Sequence, residues 1–247
     1  KDTGHEAEKK CHPERSGEAA QSKDLRFLPP NHYTLTLDNQ PLEVQSPLTG
    51  HHQQRNIALA IAAAIELRNR NSYNPPPESN QISYKIPNEA IETGIRDTRW
   101  PGRLELLPTE PPILLDVAHN PAGAWALRAA IAQLPDARPR TLIFSCLRDK
   151  SLSEMAQILF PLFDRSNYRP YDNILFCPIH SPRATSVESL AEAARALDIP
   201  AHTAPDVATA LERARELTPA NGLILATGSV YLVGELRALA LTNNAPP

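Results

Sequence analysis

No stretch of this sequence approaches the run of about 18 apolar residues that a membrane-spanning helix needs. No charged segment followed by an apolar one opens the chain, so a secretion signal is not expected. Clustered Lys and Arg are also lacking, and the net charge is −3. Nucleic acid is therefore not the expected partner, because phosphate binding requires concentrated positive charge. Cysteine is scarce: Cys11, Cys146 and Cys177 are widely spaced and fit neither a zinc site nor a disulfide framework. Two buried strand thiols and one in a polar tail are expected, in a reducing, cytoplasmic setting. Apolar residues nevertheless make up 41% of the 247 residues, enough for at least one packed core. The chain starts at Lys1 rather than Met, which reads as a fragment.

Residues 1–27 are polar and charged without apolar periodicity. They read as a disordered segment or an insertion, because too little apolar surface is available to offset ordering entropy. From His32 to Leu37 the pattern alternates like a strand. Asp38 to Pro41 reads as a turn, and Leu42 to Val44 as a returning strand. Asn56 to Leu67 is dense in Ala, Ile and Leu and reads as a buried helix. Asn74-Pro75-Pro76-Pro77 cannot continue it. A short helix is expected over Asn88 to Ile95, and Arg99 to Gly102 marks a domain boundary.

Beyond Arg103, short apolar strands alternate with helices. Strands are expected at Ile113–Val117, Thr141–Ser145, Asn173–Cys177, Ala201–His202–Thr203 and Leu223–Thr227. Helices are expected at Pro121–Leu134, Ser151–Phe163, Val187–Leu197, Asp206–Leu217 and Val230–Ala240. This grammar predicts an α/β fold with a doubly wound, Rossmann-like, mostly parallel sheet.

In such a sheet, ligands bind at the carboxyl ends of the strands. Three strand ends carry chemistry. Asp116-Val117-Ala118-His119-Asn120-Pro121 places an acid, an imidazole and an amide before a helix N-terminus, a position that favours anions. Helix capping by Asp116 and Asn120 is the plainer alternative. Arg148-Asp149-Lys150 follows the second strand, where a solvated charge cluster is the plainer reading. Thr227-Gly228-Ser229 precedes the last helix, where Ser229 could simply be a cap. His51 and His52 are adjacent but do not face one another on a helix, so no metal site is expected there.

The ordered set Gly-x-His-Gln-x-x-Asn (from Gly50), Trp-Pro-Gly-Arg-Leu-Glu (from Trp100), Leu-Asp-x-Ala-His-Asn-Pro (from Leu115), Asp149-Lys150 and Thr-Gly-Ser-x-Tyr-Leu-Val-Gly (from Thr227) resembles one family. It is the bifunctional dihydrofolate synthase/folylpolyglutamate synthase family of the Mur ligase superfamily. The likeness runs from about Tyr33 to Leu239. It implies an ATP-dependent ligase, with Mg2+, joining L-glutamate to dihydropteroate or to a reduced folate polyglutamate through an acyl phosphate. It also implies a cytoplasmic monomer. By the same resemblance, Asn56 matches the residue on the adenine side of ATP. Arg103 matches a hinge arginine at the nucleotide phosphates, and Asp116 an acid that contacts the nucleotide. His119 and Ser229 match positions linked to glutamate or to catalytic closure, with His119 and Asp116 the expected catalytic pair. Lys150 is expected near the substrate. Val117 stands where the family usually has Gly, which restricts that turn.

The family's Gly-Lys-Ser/Thr phosphate loop does not occur in these residues. The resemblance therefore implies residues 28–102 as the last part of the central ATP-binding domain and 103–247 as the C-terminal glutamate-ligase domain. The chain by itself is expected to be inactive, with the Mg2+ ligands lying elsewhere. Two other readings remain open: a cell-wall Mur ligase, and a non-catalytic Rossmann-like binding fragment.

Overall fold

The computed structural model describes residues 28–37, 39–73, 86–134, 139–165 and 172–242. The expectations for residues 1–27, with Cys11, and for the proline run at 74–77 lie outside these residues.

The first part is a hairpin and two helices. Strand β1 (Pro30–Leu37) pairs antiparallel with β2 (Gln40–Thr49), as the alternation predicts. Helix α1 spans His51–Tyr73 and α2 spans Asn88–Arg96. Helix α1 begins five residues before the predicted start. Gly50, at φ +89°, turns the chain out of β2, and no Gly or Pro interrupts it before Tyr73. Leu42, Val44, Ile57, Ile61, Ile91 and Ile95 form a small core between hairpin and helices. The expectation of a buried α1 is corrected here. Only one stripe is covered, while Leu59 and Leu67 are 63% and 57% exposed, because no described element packs on its other face.

The second part is a six-stranded sheet. Its elements are β3 (Glu105–Leu107), β4 (Ile113–Leu115), α3 (Pro121–Ile131), β5 (Arg140–Phe144), α4 (Leu152–Leu159) with a following 3-10 turn (Phe160–Phe163), β6 (Asn173–Phe176), α5 (Val187–Arg195), β7 (His202–Thr203), α6 (Val207–Leu217), β8 (Leu223–Thr227) and α7 (Val230–Thr242). The strand order is β3-β4-β8-β5-β6-β7. All pairs are parallel except β3 with β4. Three-residue β3 is the strand that the sequence pattern does not reveal.

Alternating strand residues feed two cores, because successive side chains point to opposite faces. Leu114, Leu142, Phe144, Ile174, Phe176 and Leu225 pack under α3, α4 and α5. Ile113, Leu115, Ile143, Leu175, Ile224 and Ala226 pack under α6 and α7. Burial on both faces explains why these strands read as continuous apolar runs. Cys146 and Cys177 are fully buried just past β5 and β6. Burial, then Glu235 and Asp206, pushes the Cys177 thiol up to about 12, so it stays protonated.

The insertion of β8 between β4 and β5 reverses the strand order there. The carboxyl ends of β4, β8 and β5 thus become neighbours at the point where such sheets open a crevice.

Candidate functional site

The connection from α2 to β3 is pinned against this crevice. Gly102 lies at φ +72°, and a Cβ there would meet Val233 Cγ1 at 2.9 Å and Val117 Cγ1 at 3.0 Å. Its carbonyl accepts from Val117 N at 2.9 Å. Its amide donates to Glu105 Oε2 at 2.8 Å. Arg237 of α7 grips the same carboxylate, with Nε 2.9 and 3.0 Å from its two oxygens. Leu104, at φ +48°, completes the bend. Arg103 projects from it with its guanidinium 5.7 Å from the centre of the exposed Trp100 ring. Replacing Arg237 with alanine is expected to cost about 1 kcal/mol or less in urea unfolding, since the pair is partly exposed. It should also speed hydrogen exchange at the Gly102 amide. Unchanged exchange would remove the clamp.

Asp116 directly follows β4 and is 5% exposed. Its two oxygens accept from Leu104 N at 3.0 Å and Ala118 N at 2.9 Å. Burial pushes its carboxyl up to about 6, opposed by those two amides, by Arg103 and by His119. The carboxylate therefore ties the bend carrying Arg103 to the turn carrying His119. The half-buried His119 places Nδ1 2.9 Å from Val117 O. A carbonyl oxygen only accepts, so Nδ1 is the donor, and Nε2 offers a lone pair when the ring is neutral. The capping alternative holds for one residue only. Asn120 Oδ1 accepts from Gly123 N at 2.8 Å and caps α3, whereas Asp116 is fully used by the turn.

At the end of β8, Ser229 is 2% exposed, and its Oγ accepts from Tyr231 N at 3.2 Å. Ser229 thus occupies the first turn of α7 as a capping group, one strand away from Asp116. Thr227 Oγ1 reaches the Ala118 carbonyl at 3.4 Å and links the two strand ends.

The start of α1 packs on the same bend. A Cβ on Gly50 would meet Leu104 Cδ1 at 2.9 Å. Burial, then the nearby Arg103, holds the His52 imidazole below its ordinary value. Gln53 receives the amide of Asn56 at 3.0 Å, one turn into the helix, where Asn56 itself is exposed. Arg103, Asp116 and His119 therefore meet at one junction, whereas Asn56 is bonded to Gln53 within α1. Lys150 does not join them. It sits past β5 with Asp149 at 3.5 Å, and β8 intervenes.

Among the described residues no group of three or more His, Cys, Asp or Glu could hold a metal ion. No helix of these residues is long and apolar enough to cross a membrane. A cleft of about 490 Å³ opens beside the bend, lined by Pro47, Leu48, Trp100, Arg103, Glu105 and Arg237 among others. Asp116, His119 and Ser229 do not line it. The strand ends, where the polar groups converge, fit a reaction site better than this largely apolar cleft. Arg237 escaped the sequence reading, and Glu105 and Thr227 were named there only as members of motifs. Glu105 stands within the Trp-Pro-Gly-Arg-Leu-Glu motif, but its partner is 132 residues away.

The profile described as "Mur ligase, glutamate ligase domain" matches residues 102–230. A relative in Haloferax volcanii, named "Probable bifunctional folylpolyglutamate synthase/dihydropteroate synthase", is 32% identical over 83% of this chain and 22% of its own length. The dihydrofolate synthase/folylpolyglutamate synthase of Bacillus subtilis is 29% identical over 79% of this chain and 40% of its own. The structure of Mycobacterium tuberculosis folylpolyglutamate synthase complexed with ADP superposes with a TM-score of 0.63 at 27% identity. It covers 87% of this chain and 47% of that one. The chain thus spans less than half the length of each of these relatives. The match over residues 102–230 includes the bend, Asp116, His119, Lys150 and Ser229, and by it this chain belongs to the Mur ligase family, of which it carries the glutamate ligase domain.

Proposed function

We propose that this chain is the part of an ATP-dependent folate-type ligase that closes on the nucleotide and receives L-glutamate. In this reading residues 28–102 belong to the central ATP-binding domain and 103–247 form the glutamate-ligase domain. The acceptor is dihydropteroate or a reduced folate polyglutamate. The reading includes a cytoplasmic location and a monomeric state, both carried by the family resemblance.

The supporting observation is the carboxylate of Asp116. It joins Leu104, next to Arg103, to Ala118, next to His119. Groups suited to a nucleotide and groups suited to an amino acid are thereby fixed to one junction. Arg103 offers a cation beside an aromatic face, and exposed Asn56 an amide, a donor set that fits ATP. Mg2+ does not fit in the same way, because both oxygens of Asp116 are engaged by amides and no three-ligand group exists among the described residues. No step is assigned to it.

When bound, ATP supplies the phosphoryl group that activates the acceptor carboxylate as an acyl phosphate. In this reading His119 acts on the glutamate amine, which attacks the acyl phosphate and displaces inorganic phosphate. Its Nδ1–H is held by Val117 O, so Nε2 can take the proton that the glutamate amine sheds as the amide bond forms. Asp116 keeps that turn closed and offsets positive charge growing on the imidazole.

The 247 residues contain no Gly-Lys-Ser/Thr loop, so the test supplies one. The chain is mixed with, or fused to, the phosphate-loop half of the Bacillus subtilis relative. ADP release requiring both L-glutamate and dihydropteroate or tetrahydrofolate is expected, and none from the chain alone. Glutamate addition by the chain alone would overturn the assignment of ATP to a separate part. Acceptance of muramyl nucleotides in place of the pterin, or no activity in either arrangement, would overturn the folate reading.

A further inference from the structure

Arg103 stands between two backbone amides that are each held by a carboxylate. Leu104 N donates to Asp116 Oδ2 at 3.0 Å, and Gly102 N donates to Glu105 Oε2 at 2.8 Å. The two acids belong to neighbouring strands, since Glu105 of β3 pairs with Leu115 of β4, the residue before Asp116. The Glu105 carboxylate is itself held from α7, where Arg237 Nε lies 2.9 and 3.0 Å from its oxygens. Val233 is one helical turn before Arg237 and lies on the same face of α7. It abuts Gly102 so closely that a Cβ there would meet its Cγ1 at 2.9 Å. One face of α7 is thus the seat of the bend that carries Arg103.

We propose that Glu105 and Arg237 are positioning residues for Arg103, holding its guanidinium where it meets the phosphates of the bound nucleotide. The proposal rests on the ligase reading above, in which Arg103 is the nucleotide-facing cation. It adds two residues that act through the bend without touching the nucleotide.

Three observations favour positioning over a plain surface ion pair. Gly102 and Leu104, on either side of Arg103, both have positive φ, +72° and +48°. For Leu104 that conformation is strained, and it persists only where the surroundings over-determine it. Strand β3 has its own ladder with β4 over Glu105–Leu107, so the ion pair serves the bend rather than the sheet. Glu105 is two residues from Arg103 and its charge is met by Arg237, which leaves Arg103 its own charge for a bound anion. Without Arg237, the released carboxylate would compete with phosphate for Arg103. A cation already in place binds an anion more tightly, because its ordering cost is met beforehand.

The first arm of the test needs no ligase activity. The chain has two tryptophans, so Trp125→Phe leaves Trp100 as the reporter beside Arg103. In that background Arg237→Ala should enlarge the fast component of the Trp100 anisotropy decay about twofold, as a rigid backbone turning flexible does. Arg237→Lys should reverse part of the change. Arg213→Ala, which breaks the exposed pair with Glu216 in α6, is the control and should leave the decay as it was. A decay that Arg237→Ala leaves unchanged, or that Arg213→Ala alters equally, would overturn the proposal. The second arm uses the chain reconstituted with the phosphate-loop half of the Bacillus subtilis relative. There Arg237→Ala should raise the KM for ATP about tenfold, less than an ångström of misplacement can cost, and leave the KM for glutamate alone. A fall in kcat with both KM values unmoved would make the pair merely structural and overturn its positioning role. If circular dichroism shows Arg237→Ala unfolded, Glu105→Gln takes its place. It keeps an oxygen for Gly102 N but loses the charge that Arg237 grips, and should raise the KM for ATP about threefold. Absence of ligation by the unaltered chain would sink the ligase reading, while the Trp100 decay still decides whether Arg237 holds the bend.

Discussion

Gly228→Ala is expected to destabilise the protein by about 3–5 kcal/mol, the sum of a strained backbone and an overfilled site. Gly228 lies at φ +103°, where L side chains are rarely found. A Cβ there would meet the Ser145 carbonyl oxygen at 2.5 Å and the Phe144 ring at 2.7 Å. Neither neighbour can retreat. Ser145 is fully buried at the end of central strand β5, and the Phe144 ring is wedged edge-on against Phe160, centroid to centroid 5.2 Å. The substitution must push β8 from β5 where their ends form the crevice. For a chain of this size the melting temperature should fall by about 10 °C. Gly94→Ala in α2 is the matched control. Nothing lies within 4 Å of its added Cβ, so it should be neutral or gain about 0.5–1 kcal/mol. If Gly228→Ala melted within about 2 °C of the parent, the close-approach account would be wrong.

Asp116→Asn is expected to remove a pH dependence that the parent shows in the acid range. The folded carboxyl holds its proton up to about 6, against an ordinary value of 3.8. The folded state therefore binds more protons than the unfolded one between those values. The resulting stabilisation is fully present below pH 3.8 and is lost as pH rises through 6. Its size is about 3 kcal/mol. Asn cannot titrate, so the stability of Asp116→Asn minus that of the parent should grow by about 2 kcal/mol from pH 4 to pH 7. Urea unfolding across that range measures it. A difference that stays flat would mean that burial does not govern this carboxyl. Under the proposed function, the variant is also expected to impair ligation in the reconstituted ligase. The Asn amide nitrogen cannot accept from a backbone amide, so either Leu104 N or Ala118 N loses its partner and the link from Arg103 to His119 opens. In the parent, protonation weakens the same link, because a protonated oxygen is the poorer acceptor. In the reconstituted ligase of the proposed function, ligation should fall below about pH 6.

The sheet was legible because its strands are buried on both faces. Ile113–Leu115, Thr141–Phe144, Asn173–Phe176 and Leu223–Thr227 read as short apolar runs between helices for that reason. Asn120 was open to reading as a helix cap because its oxygen satisfies a first-turn amide at short range. Strand β3 stayed hidden. Three residues at a sheet edge leave no period to detect. The burial of α1 was over-read, since its exposed Leu59 and Leu67 mimic the apolar density of a buried helix.

The candidate site divides along the same line. Asn56, Arg103, Asp116, His119, Lys150 and Ser229 could be named from ordered motifs, because each motif is local in the chain. The sequence by itself determined the alternation of strands and helices, the residues that end each strand and the resemblance that those residues carry. Only the tertiary structure decided that β8 enters between β4 and β5. The same holds for the contacts of Arg237 with Glu105 across 132 residues. Periodicity records which side chains leave water, whereas strand order and long-range pairing depend on how crossovers pack, which no local pattern encodes.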